Sequence, residues 1–241
     1  MQDESDRITD YFRATVQDFT PSSARDEARV LFAPASFDPE VVESFSSILS
    51  DAELGKAGTF LTAEHKNRFI QRRAFRRFCA ALALGSSESS LSHLVFEETD
   101  EGRPYLSRAP KLWFSFSSFR FGFLGAWSFT HGVGVDIEDQ TQNLETKEVA
   151  EQFFSEEEVK MIDDAAALEP SRSFFRLWSL KESALKSIGE GLPFGLDAFG
   201  FELSPDLRVS RAPAEYGGPD RFHPHLIEGN TTCAALVTHL R

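Results

Sequence analysis

The chain has 241 residues, enough for one large domain or two small ones. Its net charge of −13 argues against a general nucleic-acid-binding protein, and six histidines without H-x-x-x-H spacing argue against a zinc site. An apolar content of 41% with 24 phenylalanines predicts an aromatic-rich core, and no apolar run is long enough to span a bilayer. The acidic start differs from a signal peptide, so we expect a cytoplasmic protein with Cys79 and Cys233 as buried thiols.

The first part of the chain is predicted to combine helices and strands. Residues 1–28 are polar and charged, so we expect a weakly ordered arm or one short helix there. A strand near residues 28–33 follows, and apolar residues at helical spacing predict helices over residues 39–48 and 63–84. Gly85 is expected to end the second helix, because glycine readily adopts the left-handed conformation found there.

A stretch rich in serine and phenylalanine predicts a pair of strands. Phe114 and Phe116 alternate with serines, and the phenylalanine pattern then resumes on a shifted phase. We interpret the shift as a strand, a turn at residues 117–118 and a second strand that reaches Phe129. A tight turn over residues 130–132 would then lead into the next strand.

The next strand carries two carboxylates. Residues 133–138 alternate apolar side chains with Gly134, Asp136 and Glu138. That is the period of a half-buried strand, so both carboxylates project from the same face. Taken alone, acidic residues on an exposed strand face indicate only a solvated strand.

Two helices are predicted in the last part of the chain, followed by short strands between Pro and Gly turns. Ser155 opens the first helix, and Glu158 lies three residues on as its capping-box partner. The second helix runs from about Arg172 and stops at Gly189.

Glu182 and Lys186 lie one turn apart on this second helix. Alone, they indicate a surface ion pair worth about 0.2–0.5 kcal/mol. Together, the strand and the helix supply three oxygen ligands beside a lysine. Mg²⁺ takes few protein carboxylates and completes its shell with water and phosphate oxygens, so this combination suits Mg²⁺ on a diphosphate.

A basic helix stands out against the acidic composition. Its cationic residues are Lys66, Arg68, Arg72, Arg73, Arg76 and Arg77. Such a run is usually a solvated helix face. In an acidic protein it is also a place where phosphates or an acidic partner bind, and arginine binds phosphate through bidentate hydrogen bonds.

Five segments together resemble the 4′-phosphopantetheinyl transferase superfamily in its larger, two-halved surfactin type. GVDIE at residues 134–138 matches the family pattern G-[IV]-D-[IV]-E, and WSLKESALKSIG at residues 178–189 matches W-[ST]-x-K-E-[AS]-x-x-K-x-x-G. The other similar segments are RFIQRRAFRR at 68–77, GRPYL at 102–106 and FSEEE at 154–158. The resemblance covers roughly residues 50–200.

The resemblance implies an α+β fold of two similar halves related by pseudo-twofold symmetry, with coenzyme A bound in the cleft between them. After an N-terminal arm of residues 1–28, the halves would span residues 29–130 and 131–241, although the sequence has no clear internal repeat. Because the cleft lies within one chain, we expect a monomer. We expect neither a nucleic acid nor a membrane as partner.

The implied reaction transfers the phosphopantetheine arm of coenzyme A to a serine of an apo acyl or peptidyl carrier protein and releases adenosine 3′,5′-bisphosphate. Asp136, Glu138 and Glu182 would hold Mg²⁺, which neutralises and orients the diphosphate. Glu182 is the candidate base for the acceptor serine, and Lys186 would stabilise the leaving phosphate. By resemblance, the residues assigned to coenzyme A are Arg73, Arg103, Ser117, Lys181 and Lys186, with Arg77 as a weaker candidate.

One segment departs from the family pattern Phe-Asn-x-Ser-His-Ser. Here FSFSSF occupies residues 114–119, so Ser117 fits the family serine but Ser118 replaces the histidine. A hydroxyl donates a hydrogen bond without a positive charge, so weaker binding of the 3′-phosphate, a different way of holding it and loss of activity are all open. The alternative function is therefore a non-catalytic coenzyme A or phosphopantetheine-binding module. An unrelated Mg²⁺-dependent phosphotransferase has no P-loop motif to support it.

Overall fold

The computed structural model describes residues 2–85, 88–142, 144, 146–165 and 170–241. The α-helices in this part of the chain are α1 Gln2–Thr15, α2 Pro39–Ser46, α3 Asp51–Gly58, α4 Ala63–Leu84, α5 Thr146–Phe153, α6 Glu156–Ala165 and α7 Pro170–Ile188. The strands are β1 Gln17–Asp18, β2 Arg29–Pro34, β3 Glu97–Glu98, β4 Pro104–Tyr105, β5 Trp113–Phe119, β6 Gly122–Ser128, β7 His131–Asp139, β8 Gly200–Glu202, β9 Arg208–Arg211, β10 Phe222–Glu228 and β11 Thr232–Leu240.

The first core lies between α4 and an antiparallel sheet of order β1-β2-β6-β5. Phe75 of α4 packs against Phe123 of β6, with ring centroids 6.3 Å apart. Ile8 and Phe12 of α1 are buried in the same cluster. The expected N-terminal helix is therefore present, but it is packed into the core and is not a weakly ordered arm.

The second core lies between α7 and an antiparallel sheet of order β10-β11-β7. Leu180 and Ala184 of α7 pack with Ala235 and Val237 of β11, and all four are buried. The final strands are longer than expected, because β10 and β11 form a continuous ladder from Phe222–His239 to Glu228–Cys233.

The two sheets meet face to face through a third cluster of small and branched residues. The second face of β6 contributes Leu124 and Ala126, and β7 contributes Val133, Val135 and Ile137. Side chains alternate between the two faces of a strand, so each sheet packs a helix on one face and the other sheet on the opposite face. The order helix, sheet, sheet, helix confirms the α+β class. It also makes β7 buried on both faces, not half-buried as expected. The pseudo-twofold relation and the division near residue 130 stay predictions.

The turn expected at residues 117–118 is wrong. Strand β5 continues to Phe119, and a two-residue turn at 120–121 leads into β6. The phenylalanine pattern does not break at the serines. Phe114 and Phe116 face the first core, and Phe119 lies on the opposite face with the central cluster, so a change of face resembled a change of strand.

Helix ends agree with the predicted end signals. Gly85 closes α4 with a left-handed φ of 58°. Ser155 and Glu158 form reciprocal hydrogen bonds at the start of α6, which confirms the capping box. Gly189 follows α7 with a φ of 85°. Among the described helices, none is long and apolar enough to cross a membrane.

Candidate functional site

Strand β7 and helix α7 are in direct backbone contact. A Cβ atom placed on Gly134 would lie 1.8 Å from the Ser183 carbonyl oxygen, and one on Gly132 would lie 2.1 Å from that of Ser187. Both serines are completely buried, so the helix offers small side chains to the strand. The two glycines therefore allow the approach that brings the motif residues of α7 against those of β7.

Lys186 joins the two motifs. Its Nζ lies 2.8 Å from Asp136 Oδ1 and 3.0 Å from Glu182 Oε2. Ser117 of β5 also donates to Asp136 Oδ1, at 2.8 Å. Asp136 is only 2% exposed, and the Glu182–Lys186 pair is mostly buried. These residues are therefore neither a solvated strand face nor a surface ion pair.

Burial and the repulsion between carboxylates both favour positive charge in this cluster. Burial raises the pKa of Glu138 to about 8, and the nearby charges of Asp136 and Glu182 contribute to the rise. Burial also raises the pKa of Glu182, although Lys186 opposes the shift. Burial would lower the pKa of Lys186, but Asp136 and Glu182 raise it above its usual value. Hydrogen bonding from Trp178 lowers the pKa of both glutamates.

The three carboxylates suit a divalent cation in their chemistry but are not a preassembled metal site. Asp136 Oδ2 is buried and has no hydrogen-bond partner in the described part of the chain. Oxygen ligands of this kind are those that Mg²⁺ prefers. However, no group of three or more His, Cys, Asp or Glu residues among those described is arranged to hold a metal ion. In the structure, the Lys186 ammonium supplies the positive charge between Asp136 and Glu182.

The carboxylates line a cavity of about 660 Å³, which we call the carboxylate cavity. Its walls come from both sheets and from both long helices. The lining residues include Arg68, Ser117, Ser118, Asp136, Glu138, Glu182 and Lys186. The predicted metal ligands, Ser117 and Lys186 thus lie around one space.

A second cavity, of about 310 Å³, shares Glu182 and Lys186 with the first. We call it the loop cavity, because residues 101–104 and 189–192 form much of its wall. Arg103 lines it and stacks on the Trp113 ring at 4.1 Å from the ring centroid. The structure therefore places Arg103 next to the predicted catalytic pair.

A third cavity, of about 230 Å³, is cationic. We call it the arginine cavity, and its lining residues are Phe60, His65, Arg68, Phe69, Arg72 and Ser118. It shares Arg68 and Ser118 with the carboxylate cavity. Ser118, the residue that departs from the family pattern, therefore stands at the junction of these two cavities.

Arg73 and Arg77 are held by Glu53 and Glu98 and line none of these three cavities. Arg77 is fully buried and donates to both oxygens of Glu53, at 3.1 and 2.5 Å. Arg73 contacts Glu98 at 3.2 Å and Glu53 at 3.7 Å. The structure gives Arg77 a role in packing, and it does not bring Arg73 to the predicted site.

Lys181 also points away from the cavities. Its Nζ is 2.8 Å from Glu158 Oε2 and donates to the carbonyl oxygens of Leu196 and Phe199 at 3.1 and 2.5 Å. The side chain has no exposed surface. The structure does not support the expected phosphate contact by Lys181, because its ammonium group is bound to Glu158 and to two carbonyl oxygens inside the protein.

Sequence reasoning did not single out Arg68 and Arg72 within the basic helix, nor Trp178 as a partner of the carboxylates. The basic run was recognised as a possible phosphate site, so a signal existed. Choosing among its members required knowing which arginines Glu53 and Glu98 already bind.

Comparisons with known proteins point to one family. A family model described as the 4′-phosphopantetheinyl transferase superfamily matches residues 132–236, which include Asp136, Glu138, Glu182 and Lys186. The chain is 28% identical to the 4′-phosphopantetheinyl transferase Sfp of Bacillus subtilis over 197 residues, or 82% of this chain and 85% of that protein. It is 26% identical to the 4′-phosphopantetheinyl transferase HetI of Nostoc, over 78% of this chain and 80% of that protein. It is 29% identical to the 4′-phosphopantetheinyl transferase ffp of Bacillus subtilis, over 71% and 79%.

Proposed function

Since this chain belongs to the 4′-phosphopantetheinyl transferase superfamily and transfers phosphopantetheine from coenzyme A to carrier proteins, we propose that the reaction takes place in the carboxylate cavity. The supporting observation is the contact of Lys186 with both Asp136 and Glu182, beside Glu138, in a buried space between the two sheets. All four residues lie in the segment that the family model matches.

Asp136, Glu138 and Glu182 are the residues that would hold Mg²⁺. When bound, the cation would neutralise the diphosphate of coenzyme A and orient it for in-line attack. The buried, unpartnered Oδ2 of Asp136 is available for this role without losing a hydrogen bond within the described residues. Ser117 keeps the other carboxylate oxygen of Asp136 in place.

The chain's own residues then handle protons and charge. The attacking hydroxyl belongs to a serine of the carrier, so the enzyme needs no nucleophile. Glu182 is the proposed base for that hydroxyl proton, and Lys186 stabilises the negative charge on the leaving adenosine 3′,5′-bisphosphate. Arg103 is proposed to contact the donor from the loop cavity, since it lines that cavity with Glu182 and Lys186.

The alternative is a coenzyme A-binding module of the same fold without turnover. Ser118 at the cavity junction is the observation in its favour, because a serine cannot supply the charge of the family histidine. Against it stands the complete set of carboxylates with Lys186. Action as a monomer in the cytoplasm, without a nucleic acid or a membrane as partner, is part of the proposal.

Substitutions Asp136→Asn and Glu182→Gln test the site assignment. We expect each to lower the transfer rate by a factor of about 100 or more, because each removes a charge that the transition state needs. Urea unfolding should remain cooperative in both variants. Asp220→Asn, a matched change at an exposed aspartate, should transfer at the wild-type rate. Near-normal turnover of either site variant at limiting Mg²⁺ would show that the cavity is assigned wrongly.

A further inference from the structure

The arginine cavity contains two arginines, Arg68 and Arg72, that form no direct ion pair with a described acidic residue. From it we infer that Arg72, with Arg68, binds a phosphate monoester on the nucleoside end of the donor and does the work that a histidine at position 118 would do. This inference rests on the proposed function, because it assumes a donor that also occupies the carboxylate cavity.

The arginines of α4 fall into two groups. Arg73, Arg76 and Arg77 form ion pairs with Glu53 or Glu98 at distances between 2.5 and 3.7 Å. Arg68 and Arg72 make no side-chain ion pair or hydrogen bond with any residue in the described ranges, although Glu98 acts on Arg72 electrostatically. Nε is buried without an acceptor in Arg72, Arg73, Arg76 and Arg77 alike, but only Arg72 among these four has no acidic partner at its other guanidinium nitrogens. Burying an unpaired donor of a charged group is costly, so an anionic ligand is the simplest partner for Arg72.

The lining of the cavity fits such a ligand. No Asp or Glu is among its lining residues, although acidic residues outnumber basic ones by 38 to 25 in the chain. Two phenylalanine rings, Phe60 and Phe69, supply apolar wall beside the cations. Arginine binds phosphate through two parallel N–H donors, whereas Ser118 can offer only a neutral hydroxyl.

The size and connections of the cavity select the kind of ligand. At about 230 Å³ it is smaller than a typical site for a whole ligand, which starts at about 300 Å³. Arg68 and Ser118 line both this cavity and the carboxylate cavity, so the two lie side by side. The pair of cavities therefore suits one molecule that carries a diphosphate at the carboxylates and a separate phosphate monoester at the arginines.

Equilibrium binding without carrier protein tests the inference directly. We would measure the dissociation constants of adenosine 3′,5′-bisphosphate and adenosine 5′-phosphate for the wild type and for Arg72→Gln. The wild type should prefer the bisphosphate by about tenfold or more, and Arg72→Gln should lose most of that preference. Arg72→Lys should recover part of it, since lysine keeps the charge without the fork. A wild type without preference, or an Arg72→Gln variant that keeps it, would overturn the inference.

Two further variants make the assignment specific. Lys66→Gln removes the same charge from an exposed position of α4 and should keep the full preference. Arg73→Gln tests the rival assignment, and we expect it to keep the preference because Glu53 and Glu98 hold Arg73. Loss of preference in Arg73→Gln but not in Arg72→Gln would overturn our inference in favour of Arg73. Urea unfolding of each variant identifies losses that arise from a damaged fold.

Kinetics separate this inference from the proposed function. With coenzyme A, Arg72→Gln should raise KM about tenfold with little change in kcat, whereas KM for 3′-dephospho-coenzyme A should change little. Adding Ser118→His to Arg72→Gln should restore part of the affinity. Transfer by the wild type with equal KM for both donors would overturn the inference alone. Absence of transfer with an intact binding preference would count against the proposed function alone.

Discussion

At the scale of single residues, Lys181 and Lys186 lie five residues apart on α7 but have different surroundings. Lys186 lies in the carboxylate cavity between Asp136 and Glu182. Lys181 is enclosed and joins α7 to Glu158 at the start of α6 and to two carbonyl groups of the following loop. The same side chain therefore lines a cavity at one position and is enclosed by packing at the other.

Lys181→Met should destabilise the fold without acting on the chemistry. Removing one partner of a buried ion pair leaves Glu158 charged and uncompensated, which costs about 3–5 kcal/mol in the free energy of unfolding. The double variant Glu158→Gln with Lys181→Met should be more stable than Lys181→Met alone, because the unpaired charge is gone. Urea unfolding of the wild type and the two variants measures this. A Lys181→Met variant with wild-type stability and lost coenzyme A binding would restore the phosphate-contact prediction.

The site residues that sequence analysis placed together owe their position to simple periodicity. Asp136 and Glu138 share a strand face, and Glu182 and Lys186 share a helix face, so the spacing alone predicts each pair. Lys181 and Arg73 each stand next to a residue of a cavity, Glu182 and Arg72. A shift of one residue turns a side chain by about 100° around a helix. The motif does not indicate which buried acidic residue the side chain meets on the other side of the helix.

At the scale of elements, the contact of α7 with β7 sets the geometry of the site. Gly132 and Gly134 leave no room for a side chain beneath the helix backbone. This contact fixes how far Lys186 and Glu182 stand from Asp136. A side chain added at either glycine should therefore displace the α7 backbone and, with it, Glu182 and Lys186.

Gly134→Ala should impair both stability and transfer. The added methyl group would lie within 2 Å of a carbonyl oxygen of α7, so the helix has to move. We expect a loss of about 2–3 kcal/mol in the free energy of unfolding and a lower transfer rate. Gly58→Ala is a matched control, because a Cβ there meets no atom within 4 Å. Wild-type activity in Gly134→Ala would show that the helix-to-strand distance does not control the site.

Helices α3 and α4 are joined by an ion pair that should make stability depend on pH. Burial of Glu53 would raise its pKa, but hydrogen bonds from Arg77 and from the Ser50 backbone lower it below the usual value of 4.5. A carboxyl whose pKa is lowered by folding stabilises the protein above its unfolded pKa. That contribution is lost as the pH falls through the folded pKa.

Glu53→Gln should lower the free energy of unfolding by about 3 kcal/mol at pH 7, because it leaves the buried Arg77 charge without its partner. The difference between wild type and variant should shrink as the pH falls below about 4.5, since the unfolded wild type then takes up a proton on Glu53, and it should vanish once the pH is below the lowered pKa of the folded carboxyl. Urea unfolding of both proteins from pH 7 to pH 3 measures this. A difference that stays constant over the range would show that the ion pair does not carry the stability.

At the scale of the whole molecule, the site depends on how the two sheets are stacked. The carboxylate cavity takes Arg68, Ser117 and Ser118 from the part of the chain before residue 130 and the carboxylates from the part after it. The α+β class and the positions of α2, α4, α6, α7 and β7 could be predicted, because caps, glycines and periodicity are local signals. The stacking could not, because it depends on contacts such as that between Ser115 and Val135, which lie 20 residues apart and have no local signature.

The measurement that tests the central claim most directly is the intact mass of an apo carrier protein after incubation with this protein, coenzyme A and Mg²⁺. We predict a gain of one phosphopantetheine arm, lost when a chelator is added and absent with Asp136→Asn. An unchanged carrier mass across acyl and peptidyl carriers, with coenzyme A binding still measurable, would contradict the account and favour a binding module without turnover.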